Sequence, residues 1–267
     1  MTVGPAAWAA LTAELDLWAA EGRQAVFWWR DDDAVKVTPS LERLANLQST
    51  SAIPLALAVI PAQAEDDLAG FLATRPNIAA LQHGYAHRNH AAAGAKKSEF
   101  PAGRPLALQL EDVRLGQSLL APKFGGALLP VFVPPWNRAA PDILPGLADL
   151  GFRAISGFTP RPGYWAGPGL AWLNTQIDPI DWHGQQNHIA AAAGLQAAAE
   201  LLHAMRAGGQ PLQPIGFLTH HLRHDAFLWD FTAEFLATVA QHPGSRWVGT
   251  NEALAVGRPP TPVMQAS

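Results

Sequence analysis

The sequence predicts an α/β protein folded as a single (β/α) barrel of seven or eight parallel strands, closed or incompletely closed. Three observations predict it. Strand-like apolar runs alternate with amphipathic helical segments about eight times, and such alternation implies parallel strands joined by crossover helices. The chain has 267 residues, 49% of them hydrophobic and 15% charged, which suits one barrel with a large core. Finally, acidic residues and histidines cluster directly after several of the apolar runs, where α/β barrels collect their chemistry. Residues 1–257 are therefore assigned to one domain, and the Pro-rich stretch 258–267 to a frayed tail.

The elements follow in order. Trp8, Leu11, Leu15 and Trp18 recur at helical spacing and predict an amphipathic lead-in helix ending near Gly22. Strands are expected at 25–29, 54–60, 78–81, 128–133, 153–156, 173–177, 215–219 and 246–248. Helices fit between them at 40–48, 65–73, 108–120, 141–150, 190–206 and 227–240. Residues 91–105, with Gly94, Lys96, Lys97, Glu99 and Gly103, lack periodicity and read as a long loop over the strand ends.

Composition narrows the function classes. A net charge of −4 gives no electrostatic case for nucleic acid or an anionic membrane. Zero cysteines remove disulfides, thiolate metal sites and thiol catalysis. No uncharged apolar run is long enough to span a membrane. No basic segment precedes a clean apolar core at the N-terminus, so a cytoplasmic location is expected. Oligomeric state is left open.

Two histidines four residues apart, His83 and His87, carry the strongest chemical signal, because the acidic cluster Asp31-Asp32-Asp33 lies upstream. Imidazoles and a carboxylate are the ligands that a divalent ion such as zinc takes from protein. On a helical turn the two rings would share one face, about 5.4 Å apart along the axis. One Asp completes a three-ligand site with an open position, the layout of a hydrolytic centre. Three further clusters sit at strand exits: Val133-Pro-Pro-Trp136-Asn-Arg138, Asp178 and Asp181 with Trp182, and Leu218-Thr-His220-His221. The rigid Pro-Pro turn can aim the Trp136 amide at an oxyanion. Successive strand residues face opposite ways, so only one of His220 and His221 can point into a site.

Asp-Asp, H-x3-H, a Pro-Pro-aromatic turn, Asp-Trp and Leu-x-His occur here in one order, and that order resembles the NodB-homology polysaccharide deacetylases, carbohydrate esterase family four. The resemblance spans residues 25 to 225. It implies Asp32 as general base, with Asp33, His83 and His87 as metal ligands. A frame shifted by one would make Asp31 the base and Asp32 the ligand. The resemblance also implies an oxyanion donor at the Trp136 backbone N–H, and His220 as general acid tuned by Asp181. The family usually has an Arg at the start of the Pro-Pro turn, paired with the base, whereas this chain has Val133. Arg138 or Arg30 is expected to supply that cation.

The chemistry implied is metal-dependent removal of an N-acetyl group from an amino sugar or glycan, releasing acetate. Zinc is the default ion; cobalt, nickel or manganese suits the same ligands. Trp28, Trp29, Trp136, Trp165, Trp182 and Trp229 are the aromatics nearest the motifs and candidates for sugar stacking. A small, nucleotide-linked or lipid-linked N-acetyl sugar is the expected substrate. The competing readings are a hydrolase of another non-peptide amide C–N bond and a catalytically silent glycan-binding barrel.

Overall fold

A computed structural model describes residues 3–161, 163–184 and 186–259. The lead-in helix α1 (Pro5–Ala20) buries Leu11, Leu15 and Trp18, largely against α6 (Asn187–Arg206). β1 (Ala25–Ala34) runs on through the acidic cluster as one ten-residue strand. The remaining elements are α2 (Pro39–Ser51), β2 (Leu55–Val59), α3 (Asp66–Ala73), β3 (Ile78–His83), α4 (Leu106–Phe124), β4 (Leu128–Val133), α5 (Leu144–Asp149), β5 (Ala154–Ile155), β6 (Trp165–Gly167), β7 (Leu170–Trp172), β8 (Ile215–Thr219), α7 (Ala226–Gln241), β9 (Ser245–Trp247) and α8 (Thr250–Ala255). Local chemistry starts several helices. Thr38 caps α2 by accepting from the Leu41 N–H at 3.1 Å, and Asp225 caps α7 by accepting from Leu228 at 2.8 Å.

The strands form one curled sheet in the order β6-β7-β5-β4-β3-β2-β1-β8, with β9 also pairing with β1. All pairings are parallel except β6 with β7. Among the described residues, one isolated bridge, Ile177 to Phe217, joins the segment after β7 to β8, with Leu218 N–H donating to Ile177 O at 2.8 Å. The barrel is thus drawn together there rather than closed by a full ladder.

That junction accounts for one departure from expectation. Residues 173–177 do not form a continuous strand; β7 lies just before them, and they then pair singly, Thr175 N–H with Gly157 O and Ile177 N–H with Gly216 O. The segment must swing from β5 to β8, and at Gly216 a Cβ would fall 2.6 Å from Thr175 Cα, so only glycine admits the approach. The short β6–β7 hairpin and α8 were not expected from periodicity. The predicted tail beyond residue 259 lies outside the described residues.

Alternation along β1 sorts its side chains between two cores. Phe27 and Trp29 pack into the layer between sheet and helices, with Ile215 and Phe217. Trp28 points the other way into the barrel, among Ala56, Leu81, Val131 and Val133. Carried forward, this period places Arg30 and Asp32 toward the interior and Asp31 toward the outer layer. Among the described residues no helix is long and apolar enough to cross a membrane.

Candidate metal centre

The alternation decides what each aspartate can do. Asp31 is buried on the outer side, where its Oδ2 accepts from the Thr219 hydroxyl at 2.7 Å and the His221 N–H at 2.9 Å. Its Oδ1 lies 2.5 Å from His221 Nδ1. Both oxygens are committed to the exit of β8. Asp32 faces inward beside Arg30, whose Nη2 donates to Oδ2 at 3.0 Å while Nε sits 2.8 Å from Oδ1, close in distance though not aligned for a second hydrogen bond.

Asp33 breaks the alternation. Its φ is 70°, and the β1–β2 register shifts between Asp31 and Ala34. The left-handed backbone turns the carboxylate toward His83 and His87, whose Nε2 atoms lie 3.2 and 3.3 Å from the same Oδ1. One ligand atom from each of the three residues lies within 4.8 Å of the others. His83 ends β3, and its Nδ1–H donates to Val133 O at 2.9 Å, which leaves Nε2 free to ligate. Burial alone would raise the Asp33 pKa, but the hydrogen bond and charge of His83, with His220 and His87, hold it well below the carboxylate range. Burial likewise pushes His83 down, yet the charge of Asp32 and the bond to Asp33 carry it above the ordinary histidine value. Burial and the neighbouring His83 lower His87. The donor set, its spacing and the fixed tautomer fit a divalent ion.

His83 and His87 do not share a helical turn as their spacing predicted. His87 sits in a loop after β3 with φ 55°, and Gly84 before it has the same φ. The rings still converge, with centroids 5.3 Å apart.

His220 is buried at the end of β8 with Nε2 3.9 Å from Asp32 Oδ2. Its neighbour His221 faces the outer layer with Asp31. Asp181, expected to tune His220, does not reach it. Its carboxylate accepts the N–H groups of His183, Gly184 and Gln186 at 3.1, 3.0 and 3.4 Å, capping its own loop as Asp side chains readily do. The carboxylate on that side is Asp178, held by Trp182 Nε1 at 2.8 Å, and the Trp182 ring stands edge-on to His220 at 4.7 Å. Burial raises the Asp178 pKa against the pull of His220.

Arg138 also departs from expectation. It is exposed, and its Nη1 reaches only the Lys97 carbonyl at 3.3 Å. Arg30 supplies the cation, because residues two apart on a strand share a face. Its guanidinium is fully buried and further donates to Ser156 Oγ at 2.6 Å and Asn137 Oδ1 at 2.6 Å. Sequence reasoning missed Ser156 and Asn137 as partners in the site, and placed Asp178 at a strand exit without giving it a role. Trp136 and Asn137 are both left-handed, at φ 56° and 55°, and the Trp136 ring lies 4.3 Å from His87. Of the other tryptophans, Trp28, Trp29 and Trp229 are core and Trp165 lies on the edge hairpin. Of the six candidates, Trp182 and Trp136 flank the site among the described residues.

No protein-family model and no curated protein sequence matches the chain. Solved structures do match. A protein from Mycobacterium smegmatis, described provisionally as a polysaccharide deacetylase, aligns with 87% of this chain and 89% of its own at TM-score 0.62 and 18% identity. A family 4 carbohydrate esterase from Streptomyces lividans in complex with acetate aligns over 89% and 98% at TM-score 0.54 and 15% identity. A family 4 acetyl xylan esterase from Clostridium thermocellum in complex with a cobalt ion aligns over 87% and 91% at TM-score 0.52 and 13% identity. The chain therefore has the fold of the polysaccharide deacetylases of carbohydrate esterase family 4, as its motif order indicated.

Proposed function

We propose that the protein is a divergent polysaccharide deacetylase of carbohydrate esterase family 4, a hydrolase that removes an N-acetyl group from an amino sugar or glycan. The observation that carries the reading is the convergence of Asp33, His83 and His87 within ligating distance of one point, beside an Asp32 paired with a buried cation. Asp33, His83 and His87 would hold a divalent ion, zinc by default and cobalt, nickel or manganese equally suited to the ligands, which when bound would supply Lewis-acid polarisation of the acyl carbonyl and a more acidic water.

The chain's own residues supply the proton traffic. Asp32 accepts the proton of the attacking water, with Arg30 fixing the orientation of the carboxylate. The Trp136 N–H, on its left-handed turn, donates to the developing oxyanion. His220 gives its proton to the departing amine, and Asp178 supplies the neighbouring negative charge that the family motif assigns to Asp181. The exposed Trp182 and half-buried Trp136 offer faces to a sugar ring. A silent barrel was carried by the lack of an Arg at Val133, and the Arg30–Asp32 pair favours the catalytic reading over it. Metal analysis combined with acetate release from N-acetylated sugars tests the proposal; ion binding without any acetate release would direct it to another amide.

A further inference from the structure

We infer that Glu99, in the loop before α4, is the positioning residue of the metal centre: it holds the His83–His87 turn in its ligating conformation through the turn's own backbone. The inference rests on the metal reading above. The Glu99 side chain is fully buried, yet among the described residues no Lys, Arg or His forms an ion pair with it. A buried carboxylate without compensation is costly. Its compensation is three backbone amides: Tyr85 N–H donates to Oε2 at 3.1 Å, and Ala86 and Arg88 N–H donate to Oε1 at 2.8 and 3.3 Å. The donors bracket His87, so the carboxylate gathers the residues either side of the ligand into a concave anion cradle.

The fit is close from the other side too. A Cβ at Gly84 would lie 2.1 Å from Glu99 Oε2 and 2.6 Å from Pro135 Cδ, so the glycine next to His83 makes room for both the carboxylate and the Pro-Pro turn. The carbonyls of the turn point elsewhere, Tyr85 O to Ala62 N–H at 2.9 Å and Ala86 O to Gln63 Nε2 at 3.1 Å. His87 adopts a left-handed φ that a non-glycine residue holds only when its surroundings impose it. Glu99 is itself anchored. Ser98 Oγ donates to Arg138 O at 3.1 Å, Ala140 N–H to Phe100 O at 2.8 Å, and Arg104 to the Glu99 carbonyl. The loop over the strand ends thus couples the histidine turn to the turn carrying Trp136.

The test is metal affinity by chelator competition, with Co2+ as a spectroscopic probe, on the wild type, Glu99→Gln and Gly84→Ala. Glutamine keeps the shape but presents an NH2 group to donors. We expect a ~10–100-fold loss of affinity, the scale for groups that orient metal ligands, together with a changed cobalt visible spectrum. Gly84→Ala, which crowds the same carboxylate, should act in the same direction, and it serves if Glu99→Gln does not fold. Wild-type affinity and spectrum in the folded variants, with only a lower melting temperature, would overturn the inference. A wild-type protein that binds no cobalt or zinc would overturn the metal reading and this inference with it.

Discussion

Arg30 and Asp32 form a buried ion pair from adjacent inward positions of one strand, with Nε 2.8 Å from Oδ1 and Nη2 3.0 Å from Oδ2. The cation that the family draws from the Pro-Pro turn comes here from two residues before Asp32, the proposed base. Removing one partner of a buried pair leaves the other uncompensated, at a typical cost of ~3–5 kcal/mol. Arg30→Met should therefore lower stability by that order and cut kcat/KM at least ~10²-fold, the scale of a positioned proton acceptor. Arg138→Met should leave both near wild type. Denaturant melts and turnover of the two variants check this, and a sensitive Arg138 with a tolerant Arg30 would restore the first expectation.

The three aspartates are expected to fail in three different ways. Asp33→Asn should weaken metal binding, Asp32→Asn should abolish turnover with the ion retained, and Asp31→Asn should chiefly destabilise the fold, since its carboxylate serves Thr219 and His221. Metal content, activity and melting temperature of each variant separate the roles. Metal loss on Asp32→Asn would mean that the frame is shifted by one.

His220→Ala should cost ~10²-fold or more in rate with modest loss of stability. His221→Ala is not silent, because it leaves the Asp31 charge buried and half-paired; its damage should appear in the unfolding free energy rather than in KM. A folded His220→Ala with full activity contradicts the assignment of the proton donor.

How much of this was legible follows from the physics of the strand. The long runs 128–133 and 215–219 match β4 and β8 because apolar strands bounded by turn residues declare their own ends. Period two also separates His220 from His221 without any structure, but a strand expected to end at residue 29 leaves Asp31 and Asp32 unseparated; β1 runs on to Ala34. The turn geometry was not readable. His83 and His87 meet through positive φ angles and a carboxylate, Glu99, that lies twelve residues beyond the second ligand, and spacing alone favoured a helix. Asp181 matches the Asp-Trp motif and Arg138 was one of two candidate cations, but each found a nearer partner, its own loop amides in one case and a carbonyl in the other.

His224 offers a pH test. Burial, outweighing the attraction of Asp31, depresses its pKa from 6.5 to about 4, and it packs edge-on to Trp229 at 4.6 Å. A folded-state pKa below the unfolded one means that the unfolded chain binds the extra proton. Stability from this group is thus complete above pH 6.5 and declines as pH falls toward 4, by ~3 kcal/mol in all at 1.36 kcal/mol per unit. The difference in unfolding free energy between wild type and His224→Phe should shift across that window. A constant difference from pH 7 to 4 would show that the ring is not held neutral.

The central claim is most directly tested by acetate release from a panel of N-acetylated amino sugars and short glycans, measured on zinc- or cobalt-loaded protein and on protein stripped with chelator. The account predicts release from at least one substrate by the loaded protein, its loss on stripping, its return on adding the ion, and none from Asp32→Asn carrying the same ion. Equal release from stripped and loaded protein, or from Asp32→Asn, would contradict it.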